Sequence, residues 1–370
     1  HSLSARGTND PSLVNFGWPL APDRYPMTST ERILIIGPSW VGDMVMAQAL
    51  FMSLRQEHPQ CHITVMAPDW TRPLLARMPE VDESIDAQLG HGELRLVRRH
   101  AIGRSLHAID FTTAIVLPNT FKSALIPFHA GIPRRIGWGG EWRAPLLTDC
   151  RRLNKANYPL MVQRFAALAF PACAHPPAVI PNPILEIDTI NVSKTLLEFD
   201  LQGGAKILGI CPGAEFGEAK QWPAQHFAAM CNAVLADDWQ VWIFGSDNDA
   251  LVAEAILADI ESDKIDRCIN LTGKTSLAQA IDLMSVTTMV VSNDSGLMHI
   301  AAALSKPVAG LYGSTSPDFT PPLTESVKLL MTDIECRPCF KRTCPYGHRR
   351  CLTELQPARV LEAISQLRSL

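Results

Sequence analysis

Short, wholly apolar runs alternate along the chain with longer stretches in which apolar residues return every three or four positions. The first kind predicts buried strands over 32–37, 62–67, 114–118, 206–213, 240–245, 268–271, 289–291 and 308–313. The second kind predicts helices over 44–55, 223–235, 249–260, 276–285 and 297–304. Strands apolar on both faces and separated by helices belong to parallel sheets covered on each side, so the fold class is α/β. Pro171, Pro176, Pro177, Pro181 and Pro183 mark an interdomain linker, after which the strand–helix pattern restarts. A chain of 370 residues is long for one core. The expected division is a first domain over 27–180, a second over 188–355, and an amphipathic helix over 356–370.

The first 26 residues follow neither period. They are rich in Pro, Asn, Ser and Gly, open on His1 and precede Met27, so 1–26 is expected to be a leader foreign to the fold. A formal net charge of −4 leaves no nucleic-acid footprint. No apolar run spans a bilayer, despite a hydrophobic content of 47%. Six of the ten cysteines (Cys61, Cys150, Cys173, Cys211, Cys231 and Cys268) stand singly in apparent core or helix. That usage suits a reducing, cytoplasmic compartment.

Candidate chemistry gathers where strands end. In an open parallel sheet, ligands bind outside the carboxyl ends of the strands. Residues 289–304 pass from a buried strand through Asn293-Asp294-Ser295-Gly296 into an apolar helix. The unpaired amides and dipole of such a helix start form a seat for phosphate, and Ser295 and Gly296 let an anion approach the backbone. Asp294 reads as an N-cap or a ribose ligand. Gly213, Lys220, Gly245 and Gly313-Ser-Thr-Ser316 should join it on one edge, making a nucleotide-diphosphate site. Asp247-Asn-Asp249 spells D-x-D; N-cap acids come first, ribose ligands second and a divalent metal third. In the first half, Gly37-Pro-Ser-Trp-Val-Gly-Asp43 joins a strand to a helix but is neither G-x-G-x-x-G nor a Walker loop. Asp43 is an N-cap there, or a carboxylate pointing above the sheet edge. Lys122 lies at the same edge. Residues 131–143 read as a Gly-rich loop, with Arg134, Arg135 and Arg143 beside Trp138 and Trp142. Such a loop suits a phosphorylated or sugar ligand, or is ordinary solvated surface.

Three long motifs occur in order: Gly37-Pro-Ser-Trp-Val-Gly-Asp43, Pro212-Gly-Ala-Glu-Phe-Gly-Glu-Ala-Lys-Gln-Trp-Pro223 and Ser292-Asn-Asp-Ser-Gly-Leu-Met-His-Ile-Ala-Ala-Ala303. Together with 310–322, they resemble the ADP-heptose:lipopolysaccharide heptosyltransferases of glycosyltransferase family 9, most closely those that add the second inner-core heptose. The resemblance covers 33–322 and implies a GT-B fold, two Rossmann-like domains facing a cleft, in which a final helix such as 356–370 often crosses back to the first domain. It also implies inverting transfer from ADP-heptose, with no metal or other cofactor required. The implied acceptor is lipid-anchored Hep-Kdo2-lipid A, met by peripheral contact at the inner face of the cytoplasmic membrane. Asp43 matches the family's general base. Lys220 and the helix start at Ser295, Gly296 and Leu297 would stabilise the ADP leaving group, with Gly213 and Ser314 beside it. His299 reaches the diphosphate or is a core histidine, and Asp247 or Asp249 holds ribose. Trp40, Lys122, Arg135 and Arg143 are implied to meet the acceptor. Two alternatives stay open: another GT-B sugar-nucleotide enzyme, including a first heptosyltransferase, and a non-catalytic nucleotide-sugar binder.

One cluster lies outside this scheme. Cys336-x2-Cys339-x4-Cys344-x3-His348-x2-Cys351 has the density of a structural zinc set, with Cys336, Cys339, Cys344 and Cys351 as ligands. Reduced thiols or a disulfide are the alternatives.

Overall fold

The computed structural model describes residues 31–89, 94–173, 175–204 and 206–368. The expected leader, 1–26, lies outside them. The first half contains β1 (Arg32–Ile36), α1 (Val41–Glu57), β2 (His62–Ala67), α2 (Arg72–Leu75), β3 (Glu83–Asp86), α3 (Leu96–Leu106), β4 (Thr113–Val116), α4 (Phe121–His129), β5 (Arg134–Trp138), β6 (Asp149–Arg151) and α5 (Met161–Ala166). The second half opens with α6 (Thr189–Glu198), β7 (Ile207–Cys211), α7 (Ala224–Ala236), β8 (Gln240–Ile243), α8 (Ala250–Ala258), β9 (Cys268–Asn270) and α9 (Leu277–Val286). It closes with β10 (Met289–Asn293), α10 (Gly296–Ala303), β11 (Val308–Leu311), β12 (Val327–Leu330), α11 (Arg350–Thr353) and α12 (Pro357–Leu367).

Among the described residues each half builds one six-stranded sheet, in the orders β3-β2-β1-β4-β5-β6 and β12-β11-β10-β7-β8-β9. The paired strands are parallel throughout. Counted within its own half, each sheet has the doubly wound order 3-2-1-4-5-6. The apolar runs take the central places: β1 lies between β2 and β4, and the fully buried β10 lies between β7 and β11. Each sheet therefore has its topological switch point where the two central strands part, at β1/β4 and at β7/β10.

Three expectations change. Residues 134–138 form β5 rather than part of a loop, because Ile136 and Trp138 are buried beside β4 and β6. The edge strands β3, β6 and β12 escape the apolar pattern because their residues are half-exposed and mixed in polarity. Helix α12 does not cross back to the first domain. Its Val360, Ala363, Ile364 and Leu367 pack with Phe227, Val234 and Leu330 in the core of the second.

The end of the proline-rich linker is tied down. Gln48 on α1 donates to the Ile184 carbonyl and accepts from the Ile184 amide, at 2.6 and 3.1 Å. The Leu185 amide donates to Ala303, and the Glu186 amide to Arg77. Asp282 on α9, 0% exposed, accepts from Arg77 (2.6 Å), the Asp188 amide (3.1 Å) and Asn191 (2.6 Å). One carboxylate thus joins the first domain, the linker and the second domain. Replacing Asp282 with Ala strands the nearly buried Arg77 guanidinium without its counter-charge. The expected loss is about 3–5 kcal/mol of unfolding free energy, read from urea denaturation.

Candidate active site at the interdomain cleft

The carboxyl edges of the two sheets face each other across a cleft of about 910 Å³. Ser39, Trp40, Asp43 and Trp70 line one wall, and Gly213, Lys220, Asp249, Asp294 and Thr315 line the other. Helices α1 and α10 meet at the cleft with their first turns in contact. A Cβ on Gly42 would stand 2.8 Å from the His299 ring, and one on Gly296 would stand 2.9 Å from Val41 Cβ. Only glycine permits this approach.

Helix α1 starts at Val41, earlier than the apolar period shows, so Asp43 lies inside the first turn and is not the N-cap. Burial raises its pKa to about 6; Lys220 opposes that shift and Asp294 adds to it. A carboxylate tuned toward neutrality, across a cleft from a lysine, has the properties of a general base.

Lys220 Nζ donates to Asp294 Oδ2 at 2.7 Å and to the Asp294 carbonyl at 3.3 Å. Thr315 Oγ1 donates to the same carboxylate oxygen at 2.6 Å. Asp294 is therefore not the N-cap; its Oδ2 holds the lysine in place within the cleft lining. The N-cap of α10 is Ser295, which makes no side-chain cap bond, so the helix start keeps the character of an anion seat. His299 is buried, and burial lowers its pKa to about 4 despite the nearby Asp294. A neutral imidazole against Gly42 packs the domain junction and can exchange hydrogen bonds, but it offers a diphosphate no charge.

Asp247 and Asp249 diverge. Asp249 is buried and accepts from the Ser246 amide (2.8 Å) and hydroxyl (3.0 Å). It also faces Gly213, where a Cβ would fall 2.1 Å from its Oδ1. Asp247 is exposed and lies against Gly273, outside the cleft lining, so D-x-D does not converge on one point. Leu297 lines the cleft as expected. Ser314 does not; it faces the small cavity of the cysteine cluster, and Thr315 takes its place.

Two of the expected acceptor residues are structural. Arg143 is 0% exposed and donates to the carbonyls of Trp138 and Pro118, to Asn119 Oδ1 and to Ser123 Oγ. It braces the turns after β4 and β5, and no donor remains for a ligand. Arg135 lies near the amino end of β5, on the wrong edge of the sheet. Its guanidinium donates to Leu146 (2.7 Å) and Ile132 (2.5 Å) and covers the Phe128 ring. Lys122 is in the first turn of α4, at the expected edge, but outside the cleft lining. Trp40 lines the first-domain wall of the cleft. Sequence reading missed Trp70, whose indole donates to the Ser39 carbonyl at 3.1 Å, and Phe216, whose ring lies 4.9 Å from Lys220 Nζ. Single aromatics in loops carry no periodic signal.

Paired Rossmann-like domains, with a carboxylate on one and a lysine beside a helix start on the other, define a GT-B glycosyltransferase. The profile of glycosyltransferase family 9 (heptosyltransferase) matches residues 99–349, and the chain belongs to that family. It is 45% identical over 341 residues to lipopolysaccharide heptosyltransferase 2 of Escherichia coli K12, covering 91% of this chain and 98% of the relative. It is 46% identical over 346 residues to lipooligosaccharide heptosyltransferase 2 of Haemophilus ducreyi, covering 91% and 99%. The solved structure of E. coli ADP-heptose lps heptosyltransferase II superposes with a TM-score of 0.82 at 42% identity, over 91% of this chain and 98% of that one.

Asp43 gains its charge as pH rises through about 6. In the free enzyme, kcat/KM should therefore fall about tenfold per pH unit below that value and level off above it. A raised carboxyl pKa also makes the charged form a destabilising element once pH exceeds its unfolded value. Asp43→Asn should thus raise Tm at neutral pH while abolishing turnover. A variant that stays active would remove Asp43 from the role of base.

Proposed function

We propose that the protein transfers L-glycero-D-manno-heptose from ADP-heptose to the first heptose of the lipopolysaccharide inner core, Hep-Kdo2-lipid A, with inversion at the anomeric carbon. The observation that carries this reading is the placement of Asp43 opposite Lys220, in a chain closely similar to second heptosyltransferases over nearly its whole length.

In this reading Asp43 takes the proton from the acceptor hydroxyl as its oxygen attacks the anomeric carbon. The bond from that carbon to the diphosphate oxygen breaks, and the electron pair leaves with ADP. Lys220, shared between Asp294 and the diphosphate, and the amides at Ser295–Leu297 stabilise the charge that develops. With those donors in place, the transfer needs no catalytic metal. Asp249, at the floor beside Gly213, serves the nucleoside end, and Trp40 and Trp70 form the acceptor wall. Among the described residues no helix is long and apolar enough to cross a membrane. Peripheral contact with a lipid-anchored acceptor is supported by the face around the starts of α3 and α4. Val97, 85% exposed, stands with the exposed Arg95 and Arg98 at the start of α3, and Trp142, 94% exposed, lies in the turn after β5. The expected site of action is the cytoplasmic face of the inner membrane.

The deciding assay offers ADP-heptose with Kdo2-lipid A carrying one heptose, and with the same acceptor lacking it. Transfer to the first alone supports the reading. Transfer to the second alone makes the protein a first heptosyltransferase, and transfer to neither with ADP still bound favours a different donor sugar or a binding protein. Lys220→Ala should lower ADP affinity and turnover by about tenfold or more; unchanged ADP affinity in calorimetry would take Lys220 out of the diphosphate site.

A further inference from the structure

Residues 331–349, between β12 and α11, form neither helix nor strand. A stretch that long and irregular inside a compact domain needs something to hold it. Cys336, Cys339, Cys344, His348 and Cys351 line one cavity of about 10 Å³ within it, the scale of a single small ion or water. Two further observations concern the same place. Ser314, only 2% exposed, lines this cavity, and its hydroxyl has no hydrogen-bond partner. The backbone amides of Tyr346, Gly347, His348 and Arg349 turn toward the Cys344 sulfur. All four cysteines are free thiols.

We propose that Cys336, Cys339, Cys344 and Cys351 bind one zinc ion as a structural tetrathiolate site that fixes this segment behind the donor wall of the cleft. Binding converts four thiols to thiolates, releases their protons and leaves a site of net negative charge. Arg337, Lys341, Arg342, Arg349 and Arg350, interleaved with the cysteines, offset that charge. His348 is not a ligand: its Nδ1 accepts from the Arg350 amide and its ring stacks on Tyr346. A Zn–S distance of about 2.3 Å sets the sulfurs about 3.8 Å apart. Among the described residues no three His, Cys, Asp or Glu side chains already stand as a metal set, so the thiols rotate into the shared cavity as the ion binds.

The site's position gives it a task. The Phe340 amide donates to the Ser314 carbonyl (2.7 Å), and Arg337 donates to the carbonyls of Gly313 (3.2 Å) and Thr315 (3.0 Å). The Ala219 amide donates to Arg342 (3.1 Å), and Arg342 shares the Phe216 ring with Lys220. The cysteine segment thus backs both loops that carry the donor-side cations and hydroxyls.

The test is elemental analysis of the full-length protein purified without chelators. About one zinc per chain is expected. Cobalt exchanged into the same protein should give thiolate-to-cobalt charge-transfer bands and the intense visible bands of tetrahedral coordination. Cys344→Ser and Cys351→Ser should lose the metal, and Cys150→Ser, at an isolated exposed thiol, should keep it. If the serine variants do not fold, the cobalt spectrum of the unaltered chain decides. A folded, ADP-binding protein that takes up neither metal overturns the site, and so does a Cys344→Ser protein that keeps full zinc. Iron at the same stoichiometry overturns the assignment to zinc. Chelation of the zinc should lower ADP affinity by about tenfold; unchanged affinity overturns the link to the donor wall.

Discussion

The close contact between the first turns of α1 and α10 is the constraint on which the rest depends. Each helix begins at the switch point of its own sheet, so each brings functional groups to its amino end. Bringing the two ends together is electrostatically unfavourable, because both dipoles present positive poles. It is sterically possible only because Gly42 and Gly296 lack side chains. An apolar cluster running from Val45 and Phe51 to Met298 and Ile300 holds the pair together. In return, Asp43 and the α10 anion seat share one small volume of low polarity, where charge is worth most.

The charges in that volume are arranged in opposition. Asp43 is pushed toward its neutral form by burial and by Asp294, and drawn back by Lys220. Lys220 is held by Asp294 with help from Thr315. His299 stays neutral because burial outweighs its acidic neighbour. The cleft therefore holds little uncompensated charge until a ligand supplies it. In the proposed reading, an arriving diphosphate would meet a lysine already aimed by its counter-ion and a helix start with no capping side chain.

Much of this was legible in the sequence, for physical reasons that differ by residue. The central strands announce themselves because both their faces are buried, which forces unbroken apolar runs such as 33–36 and 289–291. That Asp43, Lys220 and 294–296 line the cleft was legible because each follows a buried strand, at or just before a helix start, where the fold class dictates the edge. Arg143 was misread because a basic residue in a glycine-rich stretch looks solvated; nothing local shows that four backbone and side-chain acceptors surround it. Arg135 was misread for want of β5, whose alternation is only five residues long. Ser314 and Thr315 differ by one position, and which of them enters the cleft is settled by packing against the cysteine segment, far along the chain. The course of α12 likewise depends on which apolar surface is left uncovered.

The linker's attachments have a mechanical meaning. Gln48 clasps Ile184 by both of its backbone groups, and Asp282 gathers Arg77, Asp188 and Asn191, so the crossing between domains is pinned beside the α1–α10 contact. Each attachment grips backbone or charge from both sides of the crossing, so the linker acts as a clamp and not as a free tether: loosening it at Gln48 or Asp282 would release the two halves from each other without touching a single cleft residue.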